Sequence, residues 1–361
     1  LKNKKIILFG TGNASKIISQ VIPFTIAYYV DNDCSKWGTD FEQHSIQSPK
    51  ILCEEEPDDL AIIIASTYDI DIAKQLENMG FKENIHFWNG CEVFKEHLGR
   101  TLSTKTPYVE KMLKKNSLLK NKYCNQPCFI IGNGPSVAKQ NLLLLKDNIK
   151  IVVSSFQQHP QLAELHPEYW VIADPEFWNK PENALYSILS GIERENFKIS
   201  FFMQSKGVER LGSFIQSNYS NIDLHAFHYD WNKTNVSDMD LSLDVPPWGE
   251  NVIVCALMLA LHLGFNRIYL IGCDHDWWGY TREHYELQCE GYKRFYNEKE
   301  HETMADKLSF DHAAKSIEVQ RNQYELIKAY GDAKGQLIYN ATEGGLLDIF
   351  PRISYESLFS K

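Results

Sequence analysis

The chain has 361 residues, 43% hydrophobic and 23% charged, with a formal net charge of −10. That is the profile of a soluble globular protein long enough for two cores. The acidic balance excludes a general nucleic-acid binder, so a phosphate- or carboxylate-bearing substrate needs a locally basic or amide-lined pocket.

The chain opens with Lys2, Lys4 and Lys5 before the short run IILFG, which is not the pattern of a signal peptide. The longest apolar run, VIVCALMLALHLG, is too short for a bilayer and reads as a buried helix. Eight cysteines are scattered, and the C-x-x-x-C pair Cys124/Cys128 has no matching second pair. Reduced, mostly buried thiols in a cytoplasmic protein are expected rather than zinc.

Residues 1–92 form a first alternating unit. KKIILFGTGNASKIISQVI reads as strand, glycine turn and helix; AYYVDND and DLAIIIAS are further strands, and DIDIAKQLENMG is a helix with a glycine stop. Such alternation predicts a parallel sheet with right-handed crossovers. Gly10, Gly12, Ser15 and Asp31 partly match a dinucleotide fingerprint. The alternatives are NAD binding and a small accessory domain whose cleft is empty or holds a sugar.

Residues 93–124 read as a helical linker. VEKMLKKNSLLKNK carries five lysines around Met112, Leu113, Leu118 and Leu119. Such a segment is either a solvated helix or a peripheral contact with an anionic membrane surface.

Residues 125–361 carry the second alternating pattern. Its predicted strands are CFIIG, IKIVVSS, YWVIAD, KISFFM, IDLHAF, RIYLIGCD and QLIYNA, with helices over Asn251–Leu263 and about Ala313–Tyr330. Ligands in such sheets lie beyond the carboxyl ends of the strands. That rule collects Gly132, Asn133, Gly134 and Ser136 after the first strand, and Ser154 and Ser155 after the second. Asp174 follows the third, Asp274 and Asp276 the sixth, and Asn340 and Thr342 the last.

The glycines of GNGPS allow a tight turn with exposed amide N–H groups near a ligand, and Ser136 is a candidate cap for the following helix. Pro135 donates no N–H, which departs from the usual dinucleotide loop. Gly249 gives a flexible start to the apolar helix and Gly264 stops it. Asp274 suits a ribose, loop amides or Mg²⁺, or else caps its own strand end. Trp277, Trp278 and Tyr280 offer rings for a sugar face, or core packing; Tyr280, Tyr285 and Tyr292 are candidates to stabilise a departing phosphate. His312 opens a helix, where the positive end keeps an imidazole neutral and able to accept a proton. Walker, G-x-S-x-G and zinc patterns are absent from the sequence.

The segments CFIIGNGPS, ENVIVCALMLALHLGFNRIYLIGCD and YNATEGG resemble the domain of motility-associated flagellin glycosyltransferases and archaeal 6-hydroxymethylpterin pyrophosphokinases. Their order is similar to that of the family 42 bacterial sialyltransferases, which use CMP-sialic acid. The resemblance covers about residues 125–345 and implies a GT-A-like sialyltransferase variant, so that two Rossmann-like α/β domains with mainly parallel sheets are expected. By it, Asn133 contacts the donor nucleotide and His312 is the general base. Departures are Ser155 and Asp174 where those enzymes carry Asn, Trp248 in place of a serine, and Asp276 and the nearby Tyr280 for the two tyrosines that assist CMP departure.

The resemblance implies an inverting glycosyltransferase that moves a nonulosonic acid (sialic, pseudaminic or legionaminic type) from a CMP-activated donor to an acceptor hydroxyl, with no cofactor required. His312, Tyr280 and Asp274 are its candidate catalytic residues; Gly132, Asn133, Gly134, Ser136, Ser155, Asp174, Gly249, Asn340 and Thr342 line its candidate nucleotide pocket. The acceptor is a glycan, a lipid-linked oligosaccharide or a protein in surface-polysaccharide or flagellin modification. The expected location is cytoplasmic or at the inner membrane face, and the exposed helices suit a homo-oligomer. Alternatives are a Mg-dependent pyrophosphokinase using ATP on a hydroxymethyl group, with Mg²⁺ on Asp174 and Asp274, and a non-catalytic nucleotide-sugar binder.

Overall fold

The computed structural model describes residues 4–196, 198–233, 239–249, 251–279, 295 and 309–360. The chain divides into two compact units, 1–104 and 105–361. The segment expected as a linker is split between them.

In the smaller unit the order is β1 (Lys5–Phe9), α1 (Asn13–Ser19), β2 (Ile26–Val30), β3 (Asp40–Phe41), β4 (His44–Gln47), β5 (Leu60–Ile64), α2 (Asp69–Asn78), β6 (Phe87–Asn89), α3 (Gly90–Val93) and α4 (Lys95–Leu102). The sheet runs β3-β4-β2-β1-β5-β6. Its pairs are parallel except β3 with β4. All five residues of β5 are buried, as in a central strand covered on both faces. The short strands β3, β4 and β6 went unread because two to four residues show no usable alternation.

The larger unit begins with α5 (Pro107–Asn116), whose first turn is capped by the Thr106 hydroxyl accepting from Val109 N–H at 3.4 Å. Its apolar side, Val109, Met112 and Leu113, is buried in the core. Lys115 pairs with Asp223, and Lys120 with Asp240 at 2.6 Å. The lysine-rich stretch is therefore a packed element of this unit, although Leu118 is 82% exposed.

There follow β7 (Pro127–Ile131), β8 (Ile149–Val153), α6 (Leu162–Leu165), β9 (Tyr169–Ile172), α7 (Glu176–Asn179), α8 (Leu185–Arg194), β10 (Ile199–Gln204), α9 (Ser205–Asn218) and β11 (Ile222–Phe227). The chain closes with α10 (Val252–Leu263), β12 (Arg267–Ile271), α11 (Phe310–Lys334) and β13 (Leu337–Asn340). The seven strands are those expected, and all pair in parallel in the order β11-β10-β9-β8-β7-β12-β13.

Alternation along β7 sends Cys128 and Ile130 to one core and Phe129 and Ile131 to the other. α10 lies in the first core, between the sheet and α11, so it is apolar nearly all round. Gly264, in the left-handed region at φ 86°, ends it as expected.

Among the seven described cysteines, Cys128, Cys255 and Cys273 are buried while Cys34, Cys53 and Cys124 are exposed, so burial is less general than expected. No helix among the described residues is long and apolar enough to cross a membrane.

Candidate active site

Strand order locates the site. From β7 the chain builds outward through β8 to β11, then returns to place β12 and β13 on the other side of β7. The switch point lies between β7 and β12, and the two loops leaving their carboxyl ends meet there. Between these loops lies a cleft of about 370 Å³. Gly132, Asn133, Gly134, Asp174, Gly249 and Asp274 line it, together with Ser154, Asn251, His275, Asp276, Trp277 and Gln320.

The GNGPS loop differs from the expected amide cradle. Gly132 N–H donates to Ile271 O at 2.8 Å, Gly134 N–H to Gly272 O at 2.9 Å, and Ser136 N–H to Asp274 Oδ1 at 3.2 Å. These amides join the two loops to each other. A Cβ on Gly134 would meet the Asp274 carboxylate and, at 2.7 Å, Gly272 O, so only glycine permits this approach. Asn133 is held by Nδ2–H donating to Val153 O at 3.1 Å.

Ser136 is buried beneath the loop, where its hydroxyl donates to Asp274 Oδ2 at 2.8 Å. Both Asp274 oxygens are thus engaged. Burial raises the Asp274 pKa, the Ser136 bonds oppose the rise, and the Asp276 charge adds to it. Asp276 itself is exposed.

His275 is the residue the sequence reading passed over. Its backbone is left-handed at φ 53°, which turns the ring inward. Nδ1 lies 3.1 Å from Cys273 O, which only accepts, so Nδ1 carries the hydrogen. Nε2 accepts from the Tyr324 hydroxyl at 3.0 Å. Burial lowers the His275 pKa to about 4, so the ring is neutral at pH 7.

Asn251, also missed, caps α10 by accepting from Ile253 N–H at 2.8 Å. This sets the positive end of a 12-residue helix at the cleft. An Asn before an apolar run is a legible cap signal, but the sequence reading makes Asn251 the first residue of the helix, with Gly249 as its start.

Asn340, Thr342, Ser155 and His312 do not line the cleft, whereas Asp174 does. Asn340 and Thr342 turn inward: Asn340 Nδ2–H donates to Leu347 O at 2.6 Å, its Oδ1 accepts from Thr342 N–H at 2.9 Å, and Thr342 Oγ1 accepts from Cys273 N–H at 3.0 Å. They brace the loop after β12. Ser155 is buried behind the cleft, while Ser154 lines it. Asp174 lines it with Oδ1 accepting from Glu176 N–H at 2.8 Å. His312 sits on the first turn of α11, capped by Ser309, whereas α11 meets the cleft at Gln320, about 12 Å further along the helix. Tyr280, Tyr285 and Tyr292 lie outside the described residues.

No group of three His, Cys, Asp or Glu side chains among the described residues could hold an ion. Asp274, which with Asp174 would hold Mg²⁺ in the pyrophosphokinase alternative, is engaged by Ser136.

In the smaller unit, the fingerprint acid Asp31 accepts from Thr11 Oγ1–H and, at 3.0 Å, from Lys36 Nζ, so its carboxylate is engaged from within the domain.

Comparison with known proteins agrees with this two-unit division. Residues 101–279 match the family of 6-hydroxymethylpterin diphosphokinase MptE-like proteins, and residues 2–85 match the C2185-like N-terminal family. The chain is thus a two-unit α/β protein that is similar to MptE-like proteins over 101–279 and to the C2185-like N-terminal family over 2–85. No curated protein matches it. Among solved structures, Campylobacter jejuni sialyltransferase CstII, in complex with the substrate analogue cytidine-5'-monophosphate, is similar at 14% identity over 64% of this chain and 85% of that one, with a TM-score of 0.37. A glycerate dehydrogenase related protein from Thermoplasma acidophilum is similar at 14% identity over 72% and 96%, with a TM-score of 0.17.

Proposed function

We propose that the larger unit is a glycosyltransferase that binds a nucleotide-activated sugar in the switch-point cleft, with a CMP-activated nonulosonic acid as donor. The observation that carries this reading is the pairing of opposite electrostatics in one cleft: the positive end of α10 with the carboxylates of Asp174, Asp274 and Asp276. A helix N-terminus favours the donor phosphate and the departing CMP. Carboxylates favour the oxocarbenium-like charge that develops on the sugar as the bond to CMP breaks. Asn133 and Gly134 would border the nucleotide, and Asp276 would face the sugar.

In this reading the acceptor hydroxyl attacks the anomeric carbon, CMP leaves with the bonding pair, and His312 takes the hydroxyl proton. Proton transfer needs His312 within hydrogen-bond reach of that hydroxyl, so this reading sets the reacting carbon on the side of the cleft toward the first turn of α11. The cytoplasm and its membrane face are where such a donor would be met. Transfer from a CMP-nonulosonate should proceed in EDTA as in Mg²⁺. The His312→Ala variant should lose at least about a hundredfold in rate with CMP binding retained. Full transfer by that variant would remove His312 from the mechanism.

A second reading, Mg²⁺-dependent diphosphate transfer from ATP to a hydroxymethyl group, is favoured by the family matched over 101–279. Mg²⁺-dependent formation of AMP, with no use of CMP-sugars, would select it.

A further inference from the structure

Gln320 is 4% exposed, lines the cleft, and has its Oε1 buried with no hydrogen-bond partner among the described residues. Leaving a buried amide oxygen unpaired is destabilising, because its lost hydration is not replaced. Such groups in native folds are nearly always matched, by protein, water or ligand. Turned over, the amide would put an unpaired N–H₂ in the same place.

Packing fixes where this side chain stands. Tyr324, one turn further along the same face of α11, bonds His275 Nε2, and the Arg321 guanidinium lies over the Trp278 ring at 5.4 Å. The Gln320 turn therefore abuts the loop 275–278, where the buried Trp277 ring also lines the cleft. Asn133, also in the cleft lining, has a second carboxamide oxygen that is buried without a partner among the described residues.

We propose that Gln320 is the residue that reads the nucleobase, its carboxamide pairing with the base's Watson–Crick edge. A primary amide sets an acceptor beside a donor, the complement of the adjacent donor and acceptor on a base edge. Ribose and phosphate have no such planar pair, and Trp277 supplies a flat ring for the base face. The inference rests on the nucleotide-sugar reading above and adds the part of the donor that Gln320 recognises.

The test is titration of CMP, GMP and ribose 5-phosphate, followed by NMR, into the full chain and its Gln320→Leu and Gln320→Glu variants. Gln320→Leu should weaken CMP about tenfold and leave ribose 5-phosphate unchanged. Gln320→Glu presents only acceptors, which match the two adjacent N–H donors of guanine, so the GMP-to-CMP affinity ratio should rise. An unchanged CMP affinity in Gln320→Leu, or an equal loss for CMP and ribose 5-phosphate, overturns the assignment while nucleotide binding stands. Failure of the unaltered chain to bind CMP overturns the nucleotide reading itself.

Discussion

Gly134 leaves no room for a methyl group between the Asp274 carboxylate and the Gly272 carbonyl. Gly134→Ala should therefore force apart the loops after β7 and β12, at a cost of about 1–3 kcal/mol for overpacking. Urea denaturation measures the loss, and CMP titration should show binding abolished. His275 gives a pH dependence. Its folded pKa, about 4, lies below the ordinary 6.5, so between these values the unfolded chain binds the extra proton. Stability is then complete above pH 6.5 and falls as the pH drops toward 4, by about 3 kcal/mol from this group. Urea midpoints at pH 7 and pH 4.5 check this, and His275→Gln should flatten the difference between them. At this scale the sequence showed which residues stand at strand ends, but not which way they point. Asn133 and Asn340 are both strand-end amides, yet one borders the cleft and the other braces a loop. His275 was hidden because only its left-handed backbone turns it inward.

At the scale of elements, α10 and α5 show how polar caps and apolar faces divide the work. Asn251→Ala removes the cap at the cleft end of α10 and should cost about 1 kcal/mol in urea denaturation. Asn116, at the end of α5, donates to Ala226 O and Leu241 O, both at 2.7 Å, and its Oδ1 lies 2.8 Å from His225 Nδ1. Asn116→Ala strands these buried partners and should cost about 3 kcal/mol by the same measurement. The seven strands of the larger unit were legible because each is a short apolar run bounded by turn residues, the pattern of a sheet covered on both faces. The lysine-rich stretch misled because an amphipathic helix shows its apolar side in sequence without showing what covers it. Here the cover is the core around β11.

At the scale of the molecule, all the described residues that line the cleft belong to the unit 105–361. That unit expressed alone should fold cooperatively and bind nucleotide with the affinity of the whole chain; circular dichroism and titration check this, and a tenfold loss would assign part of the site to residues 1–104. Alternating strands and helices made the two-domain plan readable. The conversion of the expected amide cradle into an inter-loop seam was not readable, since hydrogen-bond partners come from strand order. The most direct test of the central claim is a calorimetric titration of CMP and ATP into the purified chain, in Mg²⁺ and in EDTA. Selective CMP binding that survives EDTA is the predicted result. Binding of ATP alone, lost in EDTA, would contradict the glycosyltransferase and move the protein to diphosphate transfer.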